Sequence, residues 1–254
     1  MEELMRKVFI NLFVLPAIWL SLICLSIVLY VLSYLPRIFS GPYYHGLSRF
    51  WCRIFVRALD VDLRLIQKNT QPLPEQYILV ANHPSALEDF GIPALFDIYP
   101  LAKEGVRDWF VLGRISDYAG TIYVKRENAN SRHAALQSLV EAVISGKNIA
   151  IFPEGGCKGR RIYKEFHHGA FDISLQTGVP VLPVFLQYID QDTFEWKGET
   201  LITKLWQIFR SNNSRVNYYV HDAISPAKFS DKESFAKHVH SLYLEWQKDY
   251  LVNL

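Results

Sequence analysis

Tyr77-Ile78-Leu79-Val80-Ala81-Asn82-His83-Pro84-Ser85-Ala86-Leu87-Glu88-Asp89 is a short, continuous apolar run that ends in a polar, proline-marked turn. A run of this kind with no polar alternation reads as a strand covered on both faces. Other segments supply its neighbours. Val61–Ile66 alternates, Asn148–Phe152 (NIAIF) is another continuous run, and Val181–Leu186 and Val216–Val220 read as two more strands. Gln67–Gln76, with Pro72 and Pro74, reads as a loop. From Ser131 onward Leu136, Leu139, Val140, Val143 and Ile144 recur at helical spacing, with Gly146 as the stop. Ser230 and Glu233 have capping-box spacing ahead of a last helix with Phe235, Val239, Leu242 and Trp246 on one face. Strands separated by helices predict an α/β layered domain with a largely buried sheet.

The chain has 254 residues, of which 50% are apolar, enough for one sizeable core. Charged residues at 20% and aromatics at 14% exclude a disordered chain. Lys and Arg total 27 against 25 Asp and Glu, so the net charge of +2 carries no nucleic-acid signal. Cys24, Cys52 and Cys157 are scattered, form no disulfide framework and fit a reducing compartment. His167-His168 and the His238/His240 pair lack zinc-ligand spacing, so no metal is expected.

The apolar residues are concentrated at one end. Val8–Leu35 holds no charged residue. A spanning helix needs about 20 apolar residues. A signal-peptide core is only ~7–15 residues and ends on small residues, whereas this run closes on Tyr34-Leu35-Pro36-Arg37. Two shapes fit: a tilted single span, or a shallow re-entrant hairpin with Pro16, Ser21 and Ser26 as places to bend. At ~1.5 Å per residue the run exceeds a ~30 Å hydrocarbon core, which favours the hairpin. Beyond it, Arg49, Arg53 and Arg57 recur at i, i+4, i+8, flanked by Phe50, Trp51, Ile54 and Phe55. That pattern reads as a basic interfacial helix on anionic lipid, the alternative being a surface helix with a solvated basic face. Residues 1–58 are therefore expected to be membrane-embedded and interfacial helices, and residues 59–254 the α/β domain. The arginine bias puts that domain on the cytoplasmic face.

Sites in α/β sheets form in the loops after strand C-termini. His83 follows the first buried strand, with Glu88 and Asp89 five and six positions on. An imidazole and a carboxylate so placed make a base and its orienter, although acids also favour the first turn of any helix. Gly120–Arg126 (GTIYVKR) is a glycine, a short strand and two cations, and Phe152–Arg161 (FPEGGCKGRR) is a strand end, a glycine turn and three cations. Glycine turns admit anions to backbone N–H groups, and arginine grips phosphate through two bonds. Cys157, among cations that lower a thiol pKa, reads either as a nucleophile or as a bystander in a turn.

In order, NHPSALE, GTIYVKR, FPEGGCK and GVPVLPV resemble the four sequence blocks of the glycerolipid acyltransferase family, which contains the 1-acylglycerol-3-phosphate acyltransferases. Those blocks are N-H-x4-D, G-x-x-F-x-x-R, F-P-E-G-T-R and V-P-V-x-P-V. Lys103-Glu104 resembles the family's K-E pair, and Lys164–Ala170 resembles the stretch before the fourth block; the likeness runs from Leu63 to Pro226. It implies a mostly buried mixed sheet flanked by helices. It also implies that His83 is a general base, Glu88 (or Asp89) its orienter, Arg126 the leading phosphate ligand and Lys103 a weaker one. Glu154 and Gly155 would shape the acceptor pocket. Cys157 is then a bystander, because His83 supplies direct transfer without an acyl-enzyme.

Two departures stand out. Glu88 replaces the family Asp, with register favouring it over Asp89, and Gly156-Cys157 replaces Thr-Arg. A phosphate ligand is thus missing, for which Lys158 or Arg160 would have to substitute, and lysine is a point charge and not a fork. The expectation is a membrane acyltransferase of phospholipid biosynthesis. It would move a fatty acyl chain from acyl-CoA or acyl carrier protein to the hydroxyl of a lysolipid, lysophosphatidic acid by default. No cofactor beyond the acyl donor and no nucleic-acid partner are expected. The alternatives are a different lysophospholipid or a lyso-aminolipid acceptor, or a lipid-binding relative without catalysis.

Overall fold

The computed structural model describes residues 10–99, 101–109, 111–124 and 129–251; Lys103 is described by its backbone alone. A single π-helical turn, Ile10–Val14, leads into helix α1, Leu15–Leu32. The widened turn sits directly before Pro16, which has no N–H to donate backward. Leu12–Leu32 is the one described helix long and apolar enough to cross a membrane, with a mean hydropathy of 2.6, and only 11% of that window is buried against the protein.

The bend that Ser21 and Ser26 offered is not there. Their hydroxyls donate to the carbonyls of Ala17 (2.8 Å) and Leu22 (2.7 Å), one turn back in the same helix. In an apolar run a serine finds its partner in its own backbone and the helix continues. The chain reverses instead at Ser33–Pro36. Helix α2, Arg37–Ala58, returns along α1, with Tyr44 donating to the Leu29 carbonyl (2.9 Å) and Trp51 Nε1 to Ser26 Oγ (2.8 Å).

The arginine stripe on α2 is not simply a lipid-facing surface. Arg53 Nε donates to the Ala94 carbonyl (2.7 Å) and Arg49 Nε to that of Pro93 (3.3 Å), both in the last turn of helix α3, Glu88–Leu95. Those carbonyls lack intrahelical partners and carry the negative end of the helix dipole, so two of the three arginines serve as a cap.

The main sheet is mixed and has the order β1 (Asp62–Gln67), β7 (Arg215–Val220), β6 (Val181–Tyr188), β2 (Ile78–Ala81), β5 (Ile149–Ile151). Only the β6–β7 pair is antiparallel. Strand β2 lies inside the sheet, between β6 and β5, and all four of its residues are fully buried. Leu79 and Ala81 join one core with Ile92 of α3 and Val56 of α2. Ile78 and Val80 join the other, with Val143 of α5 (Ala129–Ile144), Phe171 of α6 (Gly169–Thr177) and Val239 of α9 (Lys232–Tyr250). Each buried aliphatic side chain contributes roughly 1.5–3 kcal/mol, which ties the sheet to both helical layers.

Helix α5 begins at Ala129, two residues ahead of Ser131. The cap of α9 is Asp231, whose carboxylate accepts from Ser234 N, while Ser230 Oγ donates to Asp231 instead of to the helix. A second, two-stranded parallel sheet pairs β3 (Leu101–Lys103) with β4 (Ile122–Val124). Helices α4 (Leu112–Tyr118), α7 (Gln191–Phe194) and α8 (Leu201–Phe209) complete the described chain.

Candidate active site

Strand β2 delivers Asn82 and His83 to the rim where β5 and β6 also end. The buried Asn82 side chain fixes this exit: its amide donates to the Leu186 carbonyl (3.0 Å) and its oxygen accepts from Leu186 N (2.7 Å). The His83 ring stacks on Phe152, at the end of β5, with centroids 4.0 Å apart.

The turn after His83 runs directly into α3, whose first residue is Glu88. Glu88 is fully buried, and its Oε1 accepts from Ser85 N (2.9 Å) and the Tyr188 hydroxyl (2.7 Å). Its Oε2 lies 3.4 Å from His83 Nδ1, and neither of these buried atoms has a closer hydrogen-bond partner among the described residues. The helix N-terminus favours a carboxylate here, so Glu88 occupies both roles its position allowed. Asp89, one residue on, is exposed.

The other side of the ring faces Cys157. Its Sγ lies 3.4 Å from His83 Nε2 and donates to the Ser85 carbonyl (3.1 Å). The glycine turn after β5 thus folds back over His83 and brings Cys157 against its ring. Gly155 makes that turn with φ +77°, and a Cβ there would come within 2.7 Å of the His167 ring. Burial by itself would lower the basicity of His83; the Cys157 thiol and the Glu88 carboxylate more than offset it, so the imidazole is held above its ordinary value.

Glu154 is buried and holds backbone. Its Oε2 accepts from His83 N and its Oε1 from Tyr163 N, both at 2.8 Å. Burial holds its pKa above the usual carboxylate value, although those two N–H groups pull the other way. Glu154 thus ties together the loops after β2 and β5, acting through the chain. Gly155, by its φ, sets the loop's path.

The cations expected around the acceptor are divided. Arg126 lies outside the described residues, as does the Lys103 side chain. The Lys103 backbone pairs with Val124 in the small sheet. Lys158 is exposed, with Nζ 4.7 Å from the centre of the Tyr163 ring. Arg160 is held by Glu195 (Nε 2.9 Å, Nη2 2.8 Å) and by Asp192, so its fork is already engaged. No group of three His, Cys, Asp or Glu side chains among the described residues is placed to hold a metal ion.

Residues 63–187 match the family model described as Acyltransferase. A lyso-ornithine lipid O-acyltransferase from Pseudomonas aeruginosa is 28% identical over 209 residues, covering 80% of this chain and 79% of that protein. A lysophosphatidylcholine acyltransferase from Drosophila melanogaster is 31% identical over 173 residues, 65% of this chain and 32% of the relative. A 1-acyl-sn-glycerol-3-phosphate acyltransferase from Neisseria gonorrhoeae is 28% identical over 137 residues, 53% of this chain and 52% of the relative. The chain thus spans about a third of the fly protein and half of the gonococcal one. The solved 1-acyl-sn-glycerophosphate (LPA) acyltransferase PlsC from Thermotoga maritima has the same fold, with a TM-score of 0.63 at 19% identity over 93% of this chain and 99% of that one.

Proposed function

We propose that this chain, whose residues 63–187 match the acyltransferase family model, transfers a fatty acyl chain from acyl-CoA or acyl carrier protein to the free hydroxyl of a lysolipid. The observation that carries the reading is the line from buried Glu88 through His83 Nδ1 to an Nε2 at the sheet's rim. In this mechanism His83 Nε2 takes the hydroxyl proton as the oxygen attacks the thioester carbonyl carbon. The C–S bond breaks, and the departing thiolate takes the proton back from the imidazolium. Glu88 holds the ring by Nδ1–H and stabilises its positive charge. Asn82 and Glu154 act as positioning residues, through backbone. Lysophosphatidic acid is the default acceptor, with Arg126, Lys103 and Lys158 as the cations toward its phosphate. A lyso-aminolipid is the second acceptor reading, favoured by the engaged fork of Arg160. Helix α1 anchors the enzyme, with the catalytic domain on the cytoplasmic face.

The 3.4 Å between Cys157 Sγ and His83 Nε2 favours one further mechanistic reading. There, Sγ attacks the donor thioester first, the carrier thiol leaves with the proton relayed by His83, and the lipid hydroxyl then displaces Cys157. Labelled acyl donor incubated without acceptor, followed by a panel of lysolipids, tests all of this. Direct transfer predicts no acyl-protein, loss of ~10²–10⁴ in rate for His83→Ala, and Cys157→Ala within about 10-fold of the parent. Thiol-labile acyl-protein that Cys157→Ala abolishes, together with its activity, selects the cysteine route. Absence of transfer to every lysolipid by the parent protein rejects the enzyme reading.

A further inference from the structure

Helix α8 carries more apolar surface than the core uses. At ~100° per residue Ile208, Leu201, Leu205, Phe209, Ile202 and Trp206 form one continuous arc roughly 160° wide. Ile208, at one edge, is fully buried, and Leu205 and Phe209, in the middle, pack against the core. The opposite edge is open: Ile202 is 80% exposed and Trp206 58% exposed, one turn apart. Scattered exposed hydrophobics are ordinary, but this pair continues another apolar surface. Phe209 meets Trp19 of α1 edge-on, with centroids 6.5 Å apart, and α1 is the helix whose outer surface is nearly all uncovered. Arg210 lies 5.5 Å from the Trp206 ring, so a cation and an aromatic flank the open edge, the composition of a bilayer interface. Lys197 and Arg210 line the groove beside it, together with the acids Asp192 and Glu199.

Helix α1 touches the domain at two separated places. Trp19 contacts α8, while Ser33 receives hydrogen bonds from Arg114 and the Leu35 carbonyl one from Tyr118. The interval Trp19–Ser33 is about 21 Å at 1.5 Å per residue. A helix standing upright in a bilayer, with the domain wholly outside, would meet that domain near one end only.

We propose that α8 is a second membrane contact, in which the Ile202/Trp206 edge sits in the same lipid interface as α1, so that one face of the domain lies on the bilayer. This places the site at the surface from which a lysolipid arrives. Strand β6, parallel to β2, leads into α7 and α8 from the rim that holds His83. Trp196 N donates to the Pro84 carbonyl (2.9 Å), joining the loop before α8 to the residue after His83. The contact goes beyond the proposed reaction and rests on it only for the link to acceptor delivery.

The full chain, with a photo-crosslinking amino acid replacing Ile202, is reconstituted in vesicles of phosphatidylcholine with phosphatidylglycerol. The same amino acid replacing Gln207, on the polar face, is the control. Lipid adducts at 202 and not at 207 are expected. A crosslink from 202 to a second copy of this chain, or no adduct at all in vesicle-bound protein, overturns the lipid contact. In a second arm Ile202→Glu with Trp206→Glu should raise the apparent KM for a vesicle-borne lysolipid roughly 10-fold, leaving turnover of a short-chain, water-soluble acceptor unchanged. Equal loss on both acceptors with intact folding overturns the delivery role. If the parent protein transfers no acyl group, the reaction fails, and the crosslinking arm still decides the contact.

Discussion

Glu88 and Asp89 stand side by side in the sequence, and the start of α3 separates them: Glu88 turns inward to the Nδ1 of His83, and Asp89 is exposed. Glu88→Gln removes the charge that stabilises the imidazolium and is expected to lower kcat steeply, by ~10² or more, whereas Asp89→Asn stays within a few-fold. Steady-state kinetics of the two variants in parallel checks the ranking, and the reverse order would move the dyad to Asp89. Cys157 offers a test by pH. Its thiol is one of the groups that raise the His83 pKa, so Cys157→Ala should let that value fall. A base must be neutral to work, and its protonation sets the acid limb of the kcat/KM profile. That limb is therefore expected to move to lower pH in Cys157→Ala, and a limb that stays in place would mean the thiol does not sense His83.

At the scale of elements, the glycine turn after β5 does the most positioning. Gly155 has φ +77° and no room for a Cβ beside His167. Gly155→Ala should destabilise the fold by about 1–3 kcal/mol and displace Glu154 and Cys157 together, visible as a lower Tm with reduced activity. At the other end of the chain, Asp231 and not Ser230 caps α9. Asp231→Ala is expected to lower Tm more than Ser230→Ala, since only the former leaves Ser234 N without its partner. Equal shifts would restore the serine cap read from spacing. The pattern Ser-x-x-Glu is satisfied at Ser230, but Asp231, with extended backbone (φ −151°), carries its carboxylate one residue closer to the helix.

The whole molecule is an α/β layer with an apolar helix lying along one side. Because α1 leaves most of its surface uncovered, the protein should stay with membranes through high salt and come off only in detergent. Release by salt alone would mean that the arginines of α2, and not the apolar surface, hold it there. The structure also changes what those arginines do: Arg49 and Arg53 reach the end of α3, so α2 braces the helix that begins with Glu88.

The strands of the main sheet and the motif blocks were legible from residues alone. A buried strand needs a run such as YILVA whatever surrounds it, and His83, Glu88 and the FPEGG turn announce themselves by chemistry and order. Helix α1 was equally plain as an apolar run, because length and hydropathy are local properties. The sequence favoured Glu88 over Asp89 by register alone, and nothing in it put Cys157 against His83. Its lone cap signal at Ser230 misplaced the start of α9. It gave no sign that the arc of α8 exceeds what the core covers. Each of these depends on where a second segment arrives, and segments far apart in sequence meet only when β2, β5 and β6 close into one rim. Periodicity records which residues share a face; packing alone decides what that face meets.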